Sequence, residues 1–298
     1  MYDILIIGAG PAGISAGIYA ISRGKKTLVL EQAQVGGIIG KVSTVTHYTA
    51  LQAQETGATF AARMKEQAQA AGVEIAYETV TGVELTGDVK TVHTDKGTHQ
   101  ARRVILANGG TPRKLGIPGE IELAGKGMGL NAPRDGAAYA GKNIYVVGGA
   151  DGAVKEALYL ASFARQLTII HFEDQLGCIP EFRNKIAAAD NIKLCLGSRL
   201  HAVHGTDQVE RLEIISEHDG TVQTIEDPGC GIFVYAGVTP NTQLYTEVGL
   251  QDGYIVTNDK METSVPGVYA AGDIRAKQVR QVATAVSDGA IAAINAAL

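Results

Sequence analysis

Two glycine-rich turns carry the residue spacing most suggestive of chemistry. Gly8-Ala9-Gly10-Pro11-Ala12-Gly13 is a complete G-x-G-x-x-G. In such a turn the first glycine permits a tight bend, the second lets a pyrophosphate approach the backbone, and the third lets the next helix pack on the strand. The helix start then offers N–H groups and the positive end of its dipole to phosphate oxygens. Glu31 follows Gly13 by eighteen residues, where a carboxylate can accept from ribose hydroxyls. Gly148-Gly149-Ala150-Asp151-Gly152-Ala153 is an altered copy of the turn. The methyl of Ala150 stands where the middle glycine belongs and obstructs close phosphate approach, and Asp151 adds negative charge there. Glu173, twenty residues past Ala153, is placed to bind the ribose of NADH.

Three further segments point to FAD at the first turn. Gly36-Gly37 follows the acid closely and can bring backbone to a cofactor. The apolar run 104–106 ends in the small residues Ala107-Asn108-Gly109. The run ending Gly272-Asp273 sets a carboxylate where ribityl hydroxyls would lie.

These turns need strand–helix–strand units to hold them. DILIIGAGPAG (3–13) and NIYVVGGADGA (143–153) each lead a β-branched run into a glycine turn and then a helical pattern. The spacing predicts a helix over 14–22, burying Ile14, Ala16, Ile18 and Tyr19, then a strand over 27–30. In the second unit it predicts a helix over 153–165 and a strand over 167–171, and near the end a helix over 279–296. Such alternation implies parallel sheets covered by helices, an α/β fold with two Rossmann-like domains. Pro and Gly cluster at 110–119 and 236–241, where linkers are expected. They divide the chain into a discontinuous FAD-binding domain, 1–112 with 238–298, and an inserted pyridine-nucleotide-binding-like domain, 113–237.

Composition narrows the function classes. Of 298 residues, 37 are glycine, above the usual ~7%, and no collagen-like period organises them. A net charge of −5 argues against a nucleic-acid protein. No apolar run approaches the ~20 residues of a membrane helix, and the start lacks signal-peptide character, so a cytoplasmic protein is expected. Cys178, Cys195 and Cys230 are the only cysteines. Their wide spacing makes neither a disulfide framework nor a zinc site, and inert buried thiols are expected. His171, His201 and His204 have no partners at metal-ligand spacing.

Over nearly its whole length the chain resembles the low-molecular-weight thioredoxin reductase family, most specifically in GDIRAKQVRQVATAVSDGAIAA (272–293). The resemblance implies FAD, with Gly272 and Asp273 on the flavin chain and Arg280, Gln281 and Val282 near the isoalloxazine. By analogy it also implies a homodimer. Family members carry a C-x-x-C dithiol where this chain has Asn131-Ala132-Pro133-Arg134, and no C-x-x-C occurs anywhere. Dithiol exchange needs one thiolate to attack and a second thiol to resolve. Thioredoxin reduction through an internal disulfide is therefore not expected. Asn131 and Arg134 either line the flavin face or belong to a surface loop.

NADPH-using members also carry two arginines after the second strand of this domain, where Phe172 and Glu173 stand here. Losing two charge-assisted hydrogen bonds costs roughly 3–6 kcal/mol, on the order of 10²- to 10⁴-fold in affinity. NADPH is not expected as donor. NADH and a ferredoxin-type protein remain the alternatives. His47, beside Tyr48, is a candidate proton donor near the flavin or a packing residue. Lys41, Arg113, Lys114, Lys126, Arg134, Arg275 and Lys277 could form a docking face for an acidic carrier, or be solvated charges. The expectation is an FAD-dependent oxidoreductase acting through flavin alone. The alternative is a non-catalytic or electron-transfer flavoprotein whose flavin state controls docking to a partner.

Overall fold

The computed structural model describes residues 1–129 and 131–298. It divides into two compact units, Met1–Thr111 with Thr239–Leu298, and Pro112–Val238.

The first unit opens with β1 (Tyr2–Ile7), α1 (Pro11–Ser22), β2 (Thr27–Glu31), α2 (Gly57–Ala70) and β3 (Glu74–Tyr77). It continues through β4 (Val80–Glu84), β5 (Lys90–Thr94) and β6 (Thr98–Leu106). After β7 (Gly110–Pro112) the second unit runs β8 (Met128–Gly129), α3 (Ala132–Asp135), β9 (Asn143–Val147), α4 (Asp151–Ala161), β10 (Gln166–Ile170), α5 (Pro180–Ala187) and β11 (Ile192–Cys195). It closes with β12 (Ser198–His204), β13 (Arg211–Ser216), β14 (Val222–Glu226) and β15 (Gly231–Val234). The chain returns through β16 (Val238–Pro240), which pairs with β7, to β17 (Leu250–Gln251), β18 (Tyr254–Ile255), β19 (Val268–Ala270) and α6 (Val282–Ala296).

In the first unit β3, β2, β1 and β6 lie side by side and parallel. The far edge of the long β6 is shared between antiparallel β5 and, at its C-terminal end, parallel β19. Side chains of β1 alternate between two cores. Ile4 and Ile6 pack on the helical side with α1, α2 and α6, while Leu5 and Ile7 pack on the other. Burial on both faces explains the continuous apolar run. In the second unit five parallel strands run in the order β11-β10-β9-β15-β8, joined by an antiparallel sheet of β12, β13 and β14.

Helices start where their glycine turns allow. α1 begins at Pro11, three residues before the hydrophobic period becomes visible, because proline fits the first helical turn with its φ preset. Helix α4 spans Asp151–Ala161 rather than 153–165, and α6 begins at Val282 rather than 279. β10 ends at Ile170, so His171 already lies beyond the strand. Tyr19, expected in the core, is exposed and lies under the Arg23 guanidinium, 5.5 Å from the ring centroid. The inward face of α1 keeps Ile14 but is otherwise a small stripe, with Ala12, Ala16 and Ala20 all buried, while Ile18, also expected in the core, is only partly buried.

That small stripe lets two helices approach at backbone distance. A Cβ on Gly289 of α6 would lie 2.1 Å from the Ala12 carbonyl oxygen. Gly289→Ala is therefore expected to lower the unfolding free energy by roughly 1–3 kcal/mol. Urea denaturation of the purified protein reads this as a lower midpoint. A variant as stable as the parent would show that α1 and α6 separate at no cost.

Candidate functional site

In the first unit, separate segments converge on the turn after β1. Gly8 has φ of +103°, and a Cβ there would strike the Ala107 carbonyl oxygen at 2.6 Å. Gly13 packs so closely on this turn that its Cβ would lie 1.8 Å from the Gly8 oxygen. Nothing lies within 4 Å of a Cβ built on Gly10, so this backbone is open to a ligand. The Ala9 N–H donates to Glu31 Oε2 at 2.9 Å, and the Ala33 N–H to Glu31 Oε1 at 2.9 Å. Each oxygen keeps a lone pair for a hydroxyl. The Gly36 N–H donates to the Ala9 carbonyl at 2.9 Å, which brings the Gly36-Gly37 turn to the same place. Pro11 and Ala12 form the first turn of α1 above it.

The end of β6 contributes backbone more than side chain. The Ala107 N–H donates to Ile7 O at 2.8 Å. The Asn108 amide donates to Asn241 O at 3.0 Å, and its carbonyl accepts from the Tyr245 hydroxyl at 2.8 Å. This side chain is held by the returning chain, and Gly109 beside it has φ of +55°.

Past the end of β19, charged side chains gather around one buried carboxylate. Asp288 on α6 is 7% exposed. It accepts from the Gly272 N–H at 3.0 Å, from Lys277 Nζ at 2.8 Å and from Arg275 at 2.8 Å. Arg275 and Lys277 are thus pinned inside the fold, and the docking face expected to include them loses both. Asp273 Oδ1 is buried with no partner among the described residues. Burial pushes the Asp273 carboxyl above the usual range, with Lys277 and Arg280 opposing. An orphaned carboxylate oxygen is costly unless a donor fills the place, and ribityl hydroxyls are such donors. The Arg280 guanidinium lies 4.0 Å from the Tyr254 ring centroid and reaches Arg275 O at 3.2 Å. The Gln281 N–H donates to Thr284 Oγ1 at 3.1 Å as α6 begins at Val282. His47 is exposed at a left-handed φ of 59°, while Tyr48 packs edge-on to Phe60.

Asp288 escaped the sequence reading. Its signal is a single carboxylate on the otherwise small, buried stripe of Ala285, Gly289, Ala292 and Ala296. Without the fold, that position is indistinguishable from a solvated helix charge.

The altered turn of the second unit has different surroundings. A Cβ on Gly149 would lie 2.4 Å from the His171 ring, so the imidazole closes over that glycine. Ala150 and Gly152 are exposed, no side chain caps α4, and Ala153 is buried beneath the turn, near Gly148. The Asp151 carboxylate, expected beside the phosphate position, instead accepts from the Ile179 N–H at 2.8 Å and anchors the start of α5. Past β10, His171 Nε2 lies 3.0 Å from Glu173. Arg199 stacks 4.4 Å above the Phe172 ring centroid and pairs with Glu217 at 2.7 Å. His218 lies 3.0 Å from Asp174.

In the turn that the family resemblance sets against a dithiol, Asn131 Oδ1 accepts from the Arg134 N–H at 3.0 Å and caps α3. Arg134 grips the Asp135 carboxylate with two nitrogens, at 2.6 and 3.0 Å. The Asn131 N–H donates to the same carboxylate at 2.9 Å. These residues form a closed polar turn. Cys178 and Cys230 are buried in different apolar clusters, whereas Cys195, expected to be buried, is partly exposed on β11. Burial raises the Cys178 thiol and pushes the Cys230 thiol up to about 12.

Two mononucleotide-binding sheets, one with an open glycine cradle, define an oxidoreductase scaffold of the two-dinucleotide class. The pattern of the pyridine nucleotide-disulphide oxidoreductases matches residues 2–289, and the chain belongs to that family as a thioredoxin reductase-like flavoprotein. It is 39% identical over 302 aligned residues to the thioredoxin reductase of Peptoclostridium acidaminophilum, covering 99% of this chain and 96% of the relative. The Lactococcus lactis thioredoxin reductase structure superposes with a TM-score of 0.95 at 35% identity, over 99% and 98% of the two chains. A ferredoxin-flavin thioredoxin reductase from Clostridium acetobutylicum matches with a TM-score of 0.54 at 29% identity, over 99% and 96%. No helix among the described residues is long and apolar enough to cross a membrane.

Two outcomes follow from this geometry. Asp288→Asn removes the charge that holds Lys277 and Arg275 on the Gly272 turn, and it is expected to weaken FAD retention about tenfold or more. Equilibrium dialysis measures this, and unchanged retention would remove Asp288 from the site. In native protein, thiol titration is expected to label Cys195 alone, because only the thiolate reacts and the two buried thiols stay protonated. Rapid native labelling of Cys230 would overturn the burial argument.

Proposed function

We propose that this FAD-dependent oxidoreductase moves electrons through flavin alone and takes them from a donor other than NADPH. The observation that carries the first half is the closed turn at Asn131, where a cap and an Arg134–Asp135 ion pair occupy the dithiol position. Neither end of that turn can exchange a disulfide. Bound FAD would supply the two-electron chemistry. The chain's own residues bind and orient it: Glu31 for the ribose hydroxyls, the open Gly10 backbone and the α1 N-terminus for the pyrophosphate, and Asp273 for the ribityl chain.

The region after β10 supports the second half. Glu173, Asp174 and Glu217 outnumber the single arginine, Arg199, which is already paired. A 2′-phosphate placed there meets net negative charge. NADH and a reduced ferredoxin-type protein are the two donors consistent with this field. The ferredoxin-flavin thioredoxin reductase of Clostridium acetobutylicum supplies the precedent for ferredoxin.

Anaerobic titration of the holoprotein tests the reading. Reduced ferredoxin or NADH is expected to bleach the flavin, with NADPH at least about 10²-fold less effective. NADPH-driven reduction of thioredoxin at a rate comparable to bleaching by the preferred donor would overturn it.

A further inference from the structure

Backbone pairing places an arginine on the Phe172 ring, beyond the second glycine turn. The Ser198 N–H donates to His171 O at 2.9 Å, and the Gly197 N–H donates to Glu173 O at 3.0 Å. The segment after β10 is thus zipped to the start of β12. Its first residue, His171, covers Gly149 of the glycine turn, and its second, Phe172, meets the His171 ring at 4.9 Å. Arg199 follows Ser198 and falls over Phe172. Contacts therefore run unbroken from the glycine turn through His171 and Phe172 to Arg199.

Arg199 has the chemistry to serve a phosphate, since its planar fork matches phosphate oxygens. Its Nε is instead taken by Glu217. On the antiparallel pair, Arg199 lies opposite Ile215, and Glu217 stands two residues further on, a diagonal neighbour within reach of long side chains. The guanidinium carbon lies over the Phe172 ring, 4.4 Å from its centroid, within cation–π range.

We propose that Glu217 is a specificity-positioning residue: it parks Arg199 on Phe172 and cancels its charge, so that a dinucleotide lacking a 2′-phosphate is accepted and one carrying it is refused. This rests on the reading of a non-NADPH donor and names the class of small donor as the unphosphorylated dinucleotide. The parked guanidinium presents a flat face on which a purine stacks, and Glu173, held by His171, is left to accept from ribose hydroxyls.

The test uses the holoprotein and measures dissociation constants for NAD⁺ and NADP⁺ by calorimetry, with FAD content checked in each variant. In the parent, NADP⁺ is expected to bind at least about tenfold more weakly than NAD⁺. Glu217→Gln is expected to narrow that ratio about tenfold, through tighter NADP⁺ binding, with NAD⁺ little changed. Glu217→Asp should keep the parental ratio, and adding Arg199→Ala to Glu217→Gln should restore it. A merely structural role for Glu217 would move both ligands together. An unchanged ratio in Glu217→Gln, a gain that survives loss of Arg199, or no binding of either nucleotide to parent and variant overturns the proposal. Those results leave the flavin-only reading standing if NADPH still fails to bleach the flavin. Preference of the parent for NADP⁺, with bleaching by NADPH, would overturn both.

Discussion

Close backbone approach at the first glycine turn is the constraint on which the rest of the first unit depends. Gly13 must sit against Gly8, and Gly289 against Ala12, or α1 cannot lie where its N-terminus faces the open Gly10 backbone. Everything else at this end of the sheet adjusts to that position. Glu31 is fixed by the Ala9 and Ala33 N–H groups, and the Gly36 turn is tied to Ala9. Because side chains are absent at the closest points, the helix N-terminus brings its unpaired donors to one place without steric cost.

The second unit repeats the strand–turn–helix geometry with different electrostatics. Where the first turn is open at Gly10, the second carries an exposed methyl at Ala150 and is flanked by an imidazole over Gly149. Where the first gathers cations around Asp288, the second gathers carboxylates after β10. In the reading proposed above, backbone shape sets the geometry for a dinucleotide, and a few exposed side chains just past β10 and on β12 set the selectivity among dinucleotides.

Much of this was legible in sequence because the signals are local. Two β-branched runs entering glycine turns specify the parallel α/β units, and Glu31 lies at a fixed distance along one such unit. Local signals fail where a partner arrives from far along the chain. Tyr19 satisfies the helical period of α1, yet only small side chains fit beneath α6, so it faces outward under Arg23. Asp151 reads as a charge at a phosphate site until α5 is seen to hang from it. Arg275 and Lys277 read as surface cations until Asp288 binds both. Arg199 and Glu217 carry no motif at all. Their pairing depends on the antiparallel register of β12 and β13.

The capped turn at Asn131 also bears on timing. A dithiol beside a flavin is a reservoir: electrons can leave the flavin and wait there while an acceptor arrives. In the flavin-only reading this chain has no such waiting place, since its two buried thiols sit in separate cores and Asn131 and Arg134 are redox-silent. Each electron pair must then be handed on before the next can enter. Delivery and withdrawal become obligatorily alternating, and the slower partner sets the pace of both.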